Sequence, residues 1–248
     1  MKLSLSLACA VAALAAAGCH SKSGDNAAVS TTTHLQQVSP PKGGDWTQVL
    51  NQTDQGGMMM GNPNAKVKLI EIGALTCPHC REFDEKGVPT LVDKYVKSGQ
   101  VSWEFRNYLL QGYDIPAALI ARCNGVQSFF PLMRAMYKDQ SDWMGKVFNA
   151  PQAQQQQIQN LPPNQQFVAM ASLAGLQDWA AARGLPQAKS TQCLTDQNAI
   201  DQLVQRSSDV ADQFPDFKGT PSFILNGKLL DQTASWEALQ PQLESALK

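Results

Sequence analysis

Cys77-Pro78-His79-Cys80 is the segment of this 248-residue chain whose residue types and spacing best suit covalent chemistry. Two cysteines separated by two residues can close a small ring, and so can store and release an electron pair as a disulfide. Lys66 to Ile72 reads as a short buried strand ahead of them. Behind them, Arg81 to Ser98 carries Phe83, Val88, Leu91, Val92, Tyr95 and Val96 at helical spacing, with Pro89 expected to kink the helix. The pair therefore opens a helix, where free N–H groups and the macrodipole favour a thiolate on the first cysteine. Cys77 is then the nucleophile and Cys80, one turn inward, the resolving thiol. Pro78 suits the first helical position, where a missing N–H costs nothing. His79 is expected to bring a positive charge or a donor toward the Cys77 sulfur.

Other uses of the same residues compete with this one. A four-cysteine metal site would want a second close pair, whereas Cys123 and Cys193 stand alone, so no metal is expected. Haem attachment of the c type needs His directly after the second cysteine, and position 81 is Arg. A purely structural Cys77–Cys80 bridge remains open, as does a binding or chaperone-like module in which the pair is incidental. Met58-Met59-Met60 could bind a soft metal, but a loop packed on a sheet is the simpler reading. No organic cofactor is implied.

The chain begins with Lys2 and a nearly unbroken apolar run from Leu3 to Ala17, a pattern of export. The run is short for a transmembrane helix. Ala16-Ala17-Gly18-Cys19 resembles a bacterial lipobox, with Ala16 where leucine is more usual, so Cys19 is the expected lipidated residue and plain cleavage near Gly18 the alternative. A periplasmic protein tethered to a membrane through Cys19 follows. In such an oxidising compartment, the four cysteines of the body can hold disulfides. Formal net charge is −1, and no basic run with interleaved aromatics suggests a nucleic acid partner.

The elements that must position the pair are legible in outline. His20 to Gly44, rich in Ser, Thr, Gly, Gln and Pro, reads as a disordered tether. Trp46 to Asn51 is a short amphipathic element, and Gly56 to Gly61 a turn region. Val101 to Tyr108 reads as a second strand. A helical stretch follows, with helices expected at Ile115–Cys123, Phe129–Asp139, Phe167–Arg183 and Asp196–Phe214, and a helix end and loop over Gln152–Gln166. Strand signals return at Ser222–Leu225 and Lys228–Leu230 around the hairpin dipeptide Asn226-Gly227. Ser235–Leu247 closes the chain as a helix. These signals describe an α/β frame with a helical insertion, divided as 1–19, 20–62, 63–113, 114–212 and 213–248.

With K-V-K-L-I-E-I-G-A-L-T-C-P-H-C from Lys66, the helical insertion, and F-K-G-T-P-S-F-I-L-N-G-K from Phe217, the chain resembles the DsbA-like branch of the thioredoxin superfamily. The resemblance covers most of residues 63–248 and implies a thioredoxin fold with an inserted helical domain. It implies that Gly219-Thr220-Pro221 is a cis-proline loop facing the cysteines, where Thr220 and Pro221 would pair with an extended substrate segment. A trans proline at a strand start is the alternative. It implies that Glu71, six residues before Cys77, is a buried acid able to shuttle a proton to or from Cys80; a strand residue facing solvent is the alternative. Some relatives carry a second disulfide in the insertion, which Cys123 and Cys193 would form as a structural staple, with a redox-modulating bridge or two buried thiols as alternatives.

The function implied is thiol–disulfide exchange: a Cys77–Cys80 disulfide donated to exported proteins with free thiols through a mixed disulfide. A membrane redox partner, such as a quinone-linked oxidase, would regenerate it. CPHC resembles the oxidising members, whereas Thr220 resembles isomerases, so a disulfide isomerase or reductase is the alternative direction. The stretch from Asp45 to Asn62 is too short for the added dimerisation domain of isomerases, which favours a monomer.

Overall fold

Alternating apolar residues decide how the central strands sit. The structure is a computed structural model in which residues 35–40 and 43–248 are described; the leader, with Cys9 and Cys19, and the histidines His20 and His34 lie outside the described residues. Six strands form one sheet in the order β1-β2-β4-β3-β5-β6. They are β1 Leu50–Gln52, β2 Met58–Gly61, β3 Val67–Gly73, β4 Val101–Asn107, β5 Ser222–Leu225 and β6 Lys228–Leu229. β3 and β4 are parallel, with Leu69 opposite Trp103 and Glu71 opposite Phe105. β5 runs antiparallel to β3, with Phe223 opposite Glu71. Since strand side chains alternate, Val67, Leu69 and Glu71 share one face with Trp103, Phe105 and Phe223, and this face carries the main core. Ile72 and Ile224 lie on the other face, under Val210.

α1 (Pro78–Lys86) follows β3. It stops at Gly87, whose N–H caps Phe83 O at 2.8 Å. A side chain at Gly87 would come within 2.9 Å of Trp236 Cβ, so the break also lets helix and C-terminus approach closely. Pro89 follows within the short α2 (Val88–Thr90), and Leu91–Val96 continues as one wide π-helical segment. The expected kink is thus a break with its own cap.

Eight helices fill the chain between β4 and β5: α3 Asp114–Arg122, α4 Val126–Lys138, α5 Gln140–Phe148, α6 Gln152–Gln159, α7 Pro163–Leu173, α8 Leu176–Ala181, α9 Gln187–Leu194 and α10 Gln197–Gln213. α11 (Trp236–Leu247) returns to the sheet, with Ser235 Oγ accepting from Ala238 N–H as its N-cap. Asn226 and Gly227 take positive φ in the β5–β6 turn, as an Asn-Gly hairpin requires.

Four expectations are corrected. Met58–Gly61 is not a turn but the strand β2, with Met58 and Met60 buried against β4; unbranched methionines conceal a strand because they lack β propensity. Phe167–Arg183 is not one helix, because Gly175, left-handed at φ 70°, separates α7 from α8. Pro163 opens α7 within the stretch expected to be loop. The expected tether does not run free to Gly44: Val38 N–H donates to Ser98 O at 2.8 Å, and Val38 O accepts from the buried Trp46 indole at 2.8 Å.

A disulfide joins Cys123, at the end of α3, to Cys193 in α9 across a separation of 70 residues. Closing a loop of that length restricts the unfolded chain and is worth about 2–4 kcal/mol. The double variant Cys123→Ala/Cys193→Ala is therefore expected to melt about 5–15 °C lower. Calorimetry showing an unchanged Tm would remove the staple from the account of stability.

Candidate active site

Cys77 occupies the N-cap of α1, with extended backbone (φ −79°, ψ 121°) and Pro78 at the first helical position. The strand that delivers it ends at Gly73, where a Cβ would fall 2.6 Å from the Phe105 ring; only glycine lets the chain turn so close to β4. Cys77 is 3% exposed and Cys80 fully buried, and both are free thiols in this structure. From the far end of the chain, the Thr220–Pro221 peptide bond is cis. Thr220 O accepts from Cys77 Sγ at 3.2 Å. A cavity of about 290 Å³ opens beside this loop, lined by Thr220, Pro221, Leu230, Asp231 and Thr233.

The two sulfurs have opposite acidities. The Cys77 pKa is lowered to about 5, first by hydrogen bonding from Cys80, against burial, then by the Thr220 hydroxyl and the backbone N–H groups of Cys80 and His79. The Thr220 Oγ1 atom is buried and without a hydrogen-bond partner among the described residues, which leaves its proton free to turn toward the Cys77 sulfur. Burial raises the Cys80 pKa well above the ordinary thiol value, and the neighbouring Cys77 and Glu71 push it the same way. One cysteine is thus poised as a thiolate and the other held as a thiol, as nucleophile and resolving group require.

Glu71 lies under the pair on β3, 1% exposed, and accepts from Trp103 Nε1 at 3.1 Å. Burial, then the charge of Asp84, raise its pKa well above the carboxylate range. The solvent-facing alternative is therefore excluded by its burial. Asp84, one turn beyond Cys80 on α1, stands 3.3 Å from Arg134 Nε of α4. Burial outweighs that guanidinium and lifts the Asp84 pKa to about 6.

The expectation for His79 is corrected. Its imidazole is 73% exposed, with Nδ1 3.8 Å from Glu82 Oε2; the backbone N–H of His79, not its ring, is what stabilises the Cys77 sulfur. The side chain of the second residue inside a helix start projects outward, while its N–H points along the axis toward the cap. Cys123 and Cys193 sit in the insertion and are joined to each other, away from the Cys77–Cys80 pair in sequence and in bonding. Cys19 lies outside the described residues.

Sequence reasoning missed the residues that hold the loop Ala74–Cys77. All come from the insertion. Tyr137 OH donates to Ala74 O at 3.2 Å. Gln140, 3% exposed, gives its amide N–H groups to Leu75 O at 2.8 Å and Cys77 O at 3.0 Å. Asp114, fully buried, accepts from Thr76 N–H and Thr76 Oγ1, each at 2.8 Å, and from Gln111 N–H at 2.9 Å. The loop's polar groups are thereby tied to α3, α4 and α5. A buried carboxylate, phenol and amide on separate helices leave no spacing signal in a sequence.

A family model described as thioredoxin matches residues 53–245. A solved protein-disulfide isomerase from Novosphingobium aromaticivorans superposes with a TM-score of 0.73 at 33% identity, covering 77% of this chain and 96% of that one. The alpha-DsbA1 of Wolbachia pipientis shares the fold, with a TM-score of 0.61 at 21% identity, covering 77% of this chain and 90% of that one. A Rickettsia prowazekii relative named provisionally as a protein-disulfide oxidoreductase is 28% identical over 182 residues, 73% of this chain but 58% of its own length. The chain thus spans less than two thirds of the first curated relatives it matches, at 58% and 66%.

Thiolate absorbance of the reduced protein is expected to fall on acidification with a midpoint near the pKa of about 5. In Gln140→Leu, two buried carbonyls lose their donor, so stability is expected to drop by about 1–3 kcal/mol and the thiolate midpoint to rise. A midpoint unmoved in that variant would show that Gln140 supports the loop without setting the sulfur's environment.

Proposed function

We propose, for a chain that belongs to the thioredoxin family, that it is a thiol–disulfide oxidoreductase of exported proteins, with Cys77 and Cys80 as its redox pair. The observation that carries this is the Cys77 sulfur, acidic at about 5, set against the backbone of Thr220 in the cis-proline loop. In the oxidising direction, a substrate thiolate attacks Cys77 of the Cys77–Cys80 disulfide. The new S–S bond joins substrate and Cys77, and Cys80 leaves as a thiolate that takes a proton. A second substrate thiolate then attacks the substrate sulfur and releases Cys77 as a stabilised thiolate. A good leaving group accelerates that last step, and a stabilised dithiol form makes the disulfide a strong oxidant.

Glu71 is the group we assign to exchange the Cys80 proton. Buried beneath the pair, with its pKa raised by that burial, it holds its proton more tightly than an ordinary carboxyl and can pass it on as Cys80 changes state. The cavity beside Thr220 and Pro221 supports an extended substrate segment pairing with the loop backbone. The export leader and Cys19 support a periplasmic protein held at a membrane by lipid, met there by a redox partner that restores the disulfide. No helix of the described residues is long and apolar enough to cross a membrane.

One observation favours a second reading, disulfide isomerisation. Thr220, with a buried hydroxyl facing the sulfur, precedes the cis-proline, and the similar N. aromaticivorans protein is named a protein-disulfide isomerase. Incubation with a reduced and with a scrambled multi-disulfide protein separates the two. An oxidase forms bonds in the first, and an isomerase kept dithiol recovers activity in the second. Cys77→Ala is expected to abolish either, and Cys80→Ala to accumulate the mixed disulfide; a binding module would instead keep its activity in Cys77→Ala.

The lowered acidity sets a pH signature. Reduction takes up two electrons and, above the Cys77 pKa of about 5, one proton, on Cys80. Below it, two protons are taken up. Since folded Cys77 is more acidic than an unfolded thiol, the thiolate's stabilisation of the dithiol protein grows above pH 5 and disappears as pH falls through 5. The potential is therefore expected to fall by about 30 mV per pH unit above that point and about 60 mV below it. Equilibration with glutathione across pH 4 to 8 checks this, and a two-proton slope throughout would contradict a Cys77 thiolate. At neutral pH the potential is expected well above the roughly −270 mV of thioredoxin.

A further inference from the structure

Among the described residues, two guanidinium groups in the cleft between the β1–β2 turn and α10 have no carboxylate within ion-pair distance. Arg122, at the end of α3, donates to Gly56 O at 2.7 Å and Asn107 Oδ1 at 3.1 Å, and its charge lies 5.9 Å from the centre of the Phe129 ring. Arg206, on α10, donates to Gln202 Oε1 at 3.1 Å. Every one of these partners is neutral. The two groups also converge on one residue: Arg122 grips the Gly56 carbonyl, while Arg206 lies over its α-carbon, where a methyl group would meet Arg206 Cζ at 2.1 Å. Among the described residues no carboxylate oxygen comes within 4.0 Å of either, whereas Arg106 in the same cleft is paired with Glu104 at 2.7 Å.

The cost of this arrangement is visible in Arg122. Burial and then the charge of Arg206 lower its pKa to about 10. Space is present as well. Cavities of about 320 and 230 Å³ both take Arg122, Gln202, Leu203 and Arg206 into their walls. Asp54 and Asp209 also line the larger one and Asp196 the smaller; Asp209 is engaged by Gln205 Nε2 at 2.7 Å, Asp196 caps α10 by accepting from Ala199 N–H at 3.1 Å, and Asp54 is exposed.

We propose that this cleft binds a phosphate group or another dianionic oxyanion between Arg122 and Arg206. Two fixed monocations match two negative charges, and planar guanidinium forks match tetrahedral oxyanions in charge-assisted hydrogen bonds. A carboxylate, with one charge, would leave one arginine uncompensated. Neither the redox pair nor its loop takes part, so the site stands or falls independently of the exchange activity.

The test is a titration of the full chain with inorganic phosphate, followed by phosphorus NMR linewidth and by Tm, against chloride and acetate at matched ionic strength. Saturable broadening and a Tm rise of about 3 °C or more near saturation are expected for phosphate alone. Arg206→Gln, which keeps the Arg122 contacts to Gly56 and Asn107, is expected to weaken phosphate about tenfold or more. Arg122→Lys, which keeps charge but loses the fork, is expected to weaken it less than Arg206→Gln. Equal responses to chloride reduce the effect to screening and overturn the proposal. An equal saturable response to acetate overturns the dianion assignment, and unchanged phosphate affinity in Arg206→Gln places the anion elsewhere and overturns the site.

Discussion

A sulfur at the start of a helix is stabilised as an anion only while the donors of the first turn face it and the carbonyls of the preceding loop do not. In this protein that condition is met by drawing the carbonyls away. Tyr137 and Gln140 take the oxygens of Ala74, Leu75 and Cys77 into the insertion, and Asp114 fixes Thr76 from the same side. What remains for the Cys77 sulfur is one carbonyl from outside that loop, Thr220 O at 3.2 Å, and against it the thiol of Cys80, the hydroxyl of Thr220 and the first N–H groups of α1. The helical insertion is therefore part of the chemistry, through the backbone it holds.

The interior beneath the pair works in the opposite sense. Glu71, Asp84, Asp114 and Tyr137 are all buried, and burial raises the pKa of each. Low dielectric surroundings make a second negative charge near Cys77 costly, so the cluster favours protons on Cys80 and Glu71 once Cys77 has ionised. Among the described residues, of these four only Asp84 is offered a cation, Arg134, whose side chain is 40% exposed. The acids thus grade from wholly buried at Glu71 to a charge-paired group in contact with water-accessible Arg134.

Much of this was legible in the sequence, and what was not has physical reasons. Lys66–Ile72, the CxxC, Ser222–Leu225 with its Asn-Gly turn, and the Gly-Thr-Pro motif carry local signals of strand, helix start and turn, and the frame of the fold follows from them. The resemblance brought Glu71 and Pro221 to attention because their motifs are contiguous. Gln140, Tyr137 and Asp114 could not be picked out, since a polar residue on a helix reads as solvated until the packing of that helix is known. β2 was hidden because methionine has no strand preference, and the His79 ring was overvalued because spacing gives proximity along the chain, not the direction of a side chain.

The reactive sulfur's surroundings are drawn from widely separated parts of one chain: Gln140 lies 63 residues after Cys77, and Thr220 lies 143 residues after it. A ribosome delivers these parts in order. Until Thr220 has been made, Cys77 lacks the hydroxyl that helps lower its pKa in the finished protein, and relies on Cys80 and the first N–H groups of α1 alone. Cys123 and Cys193 are both synthesised before that point. The partners of the structural bridge thus become available to one another before Cys77 acquires its full acidity, so the order of the sequence itself separates the cysteines in time.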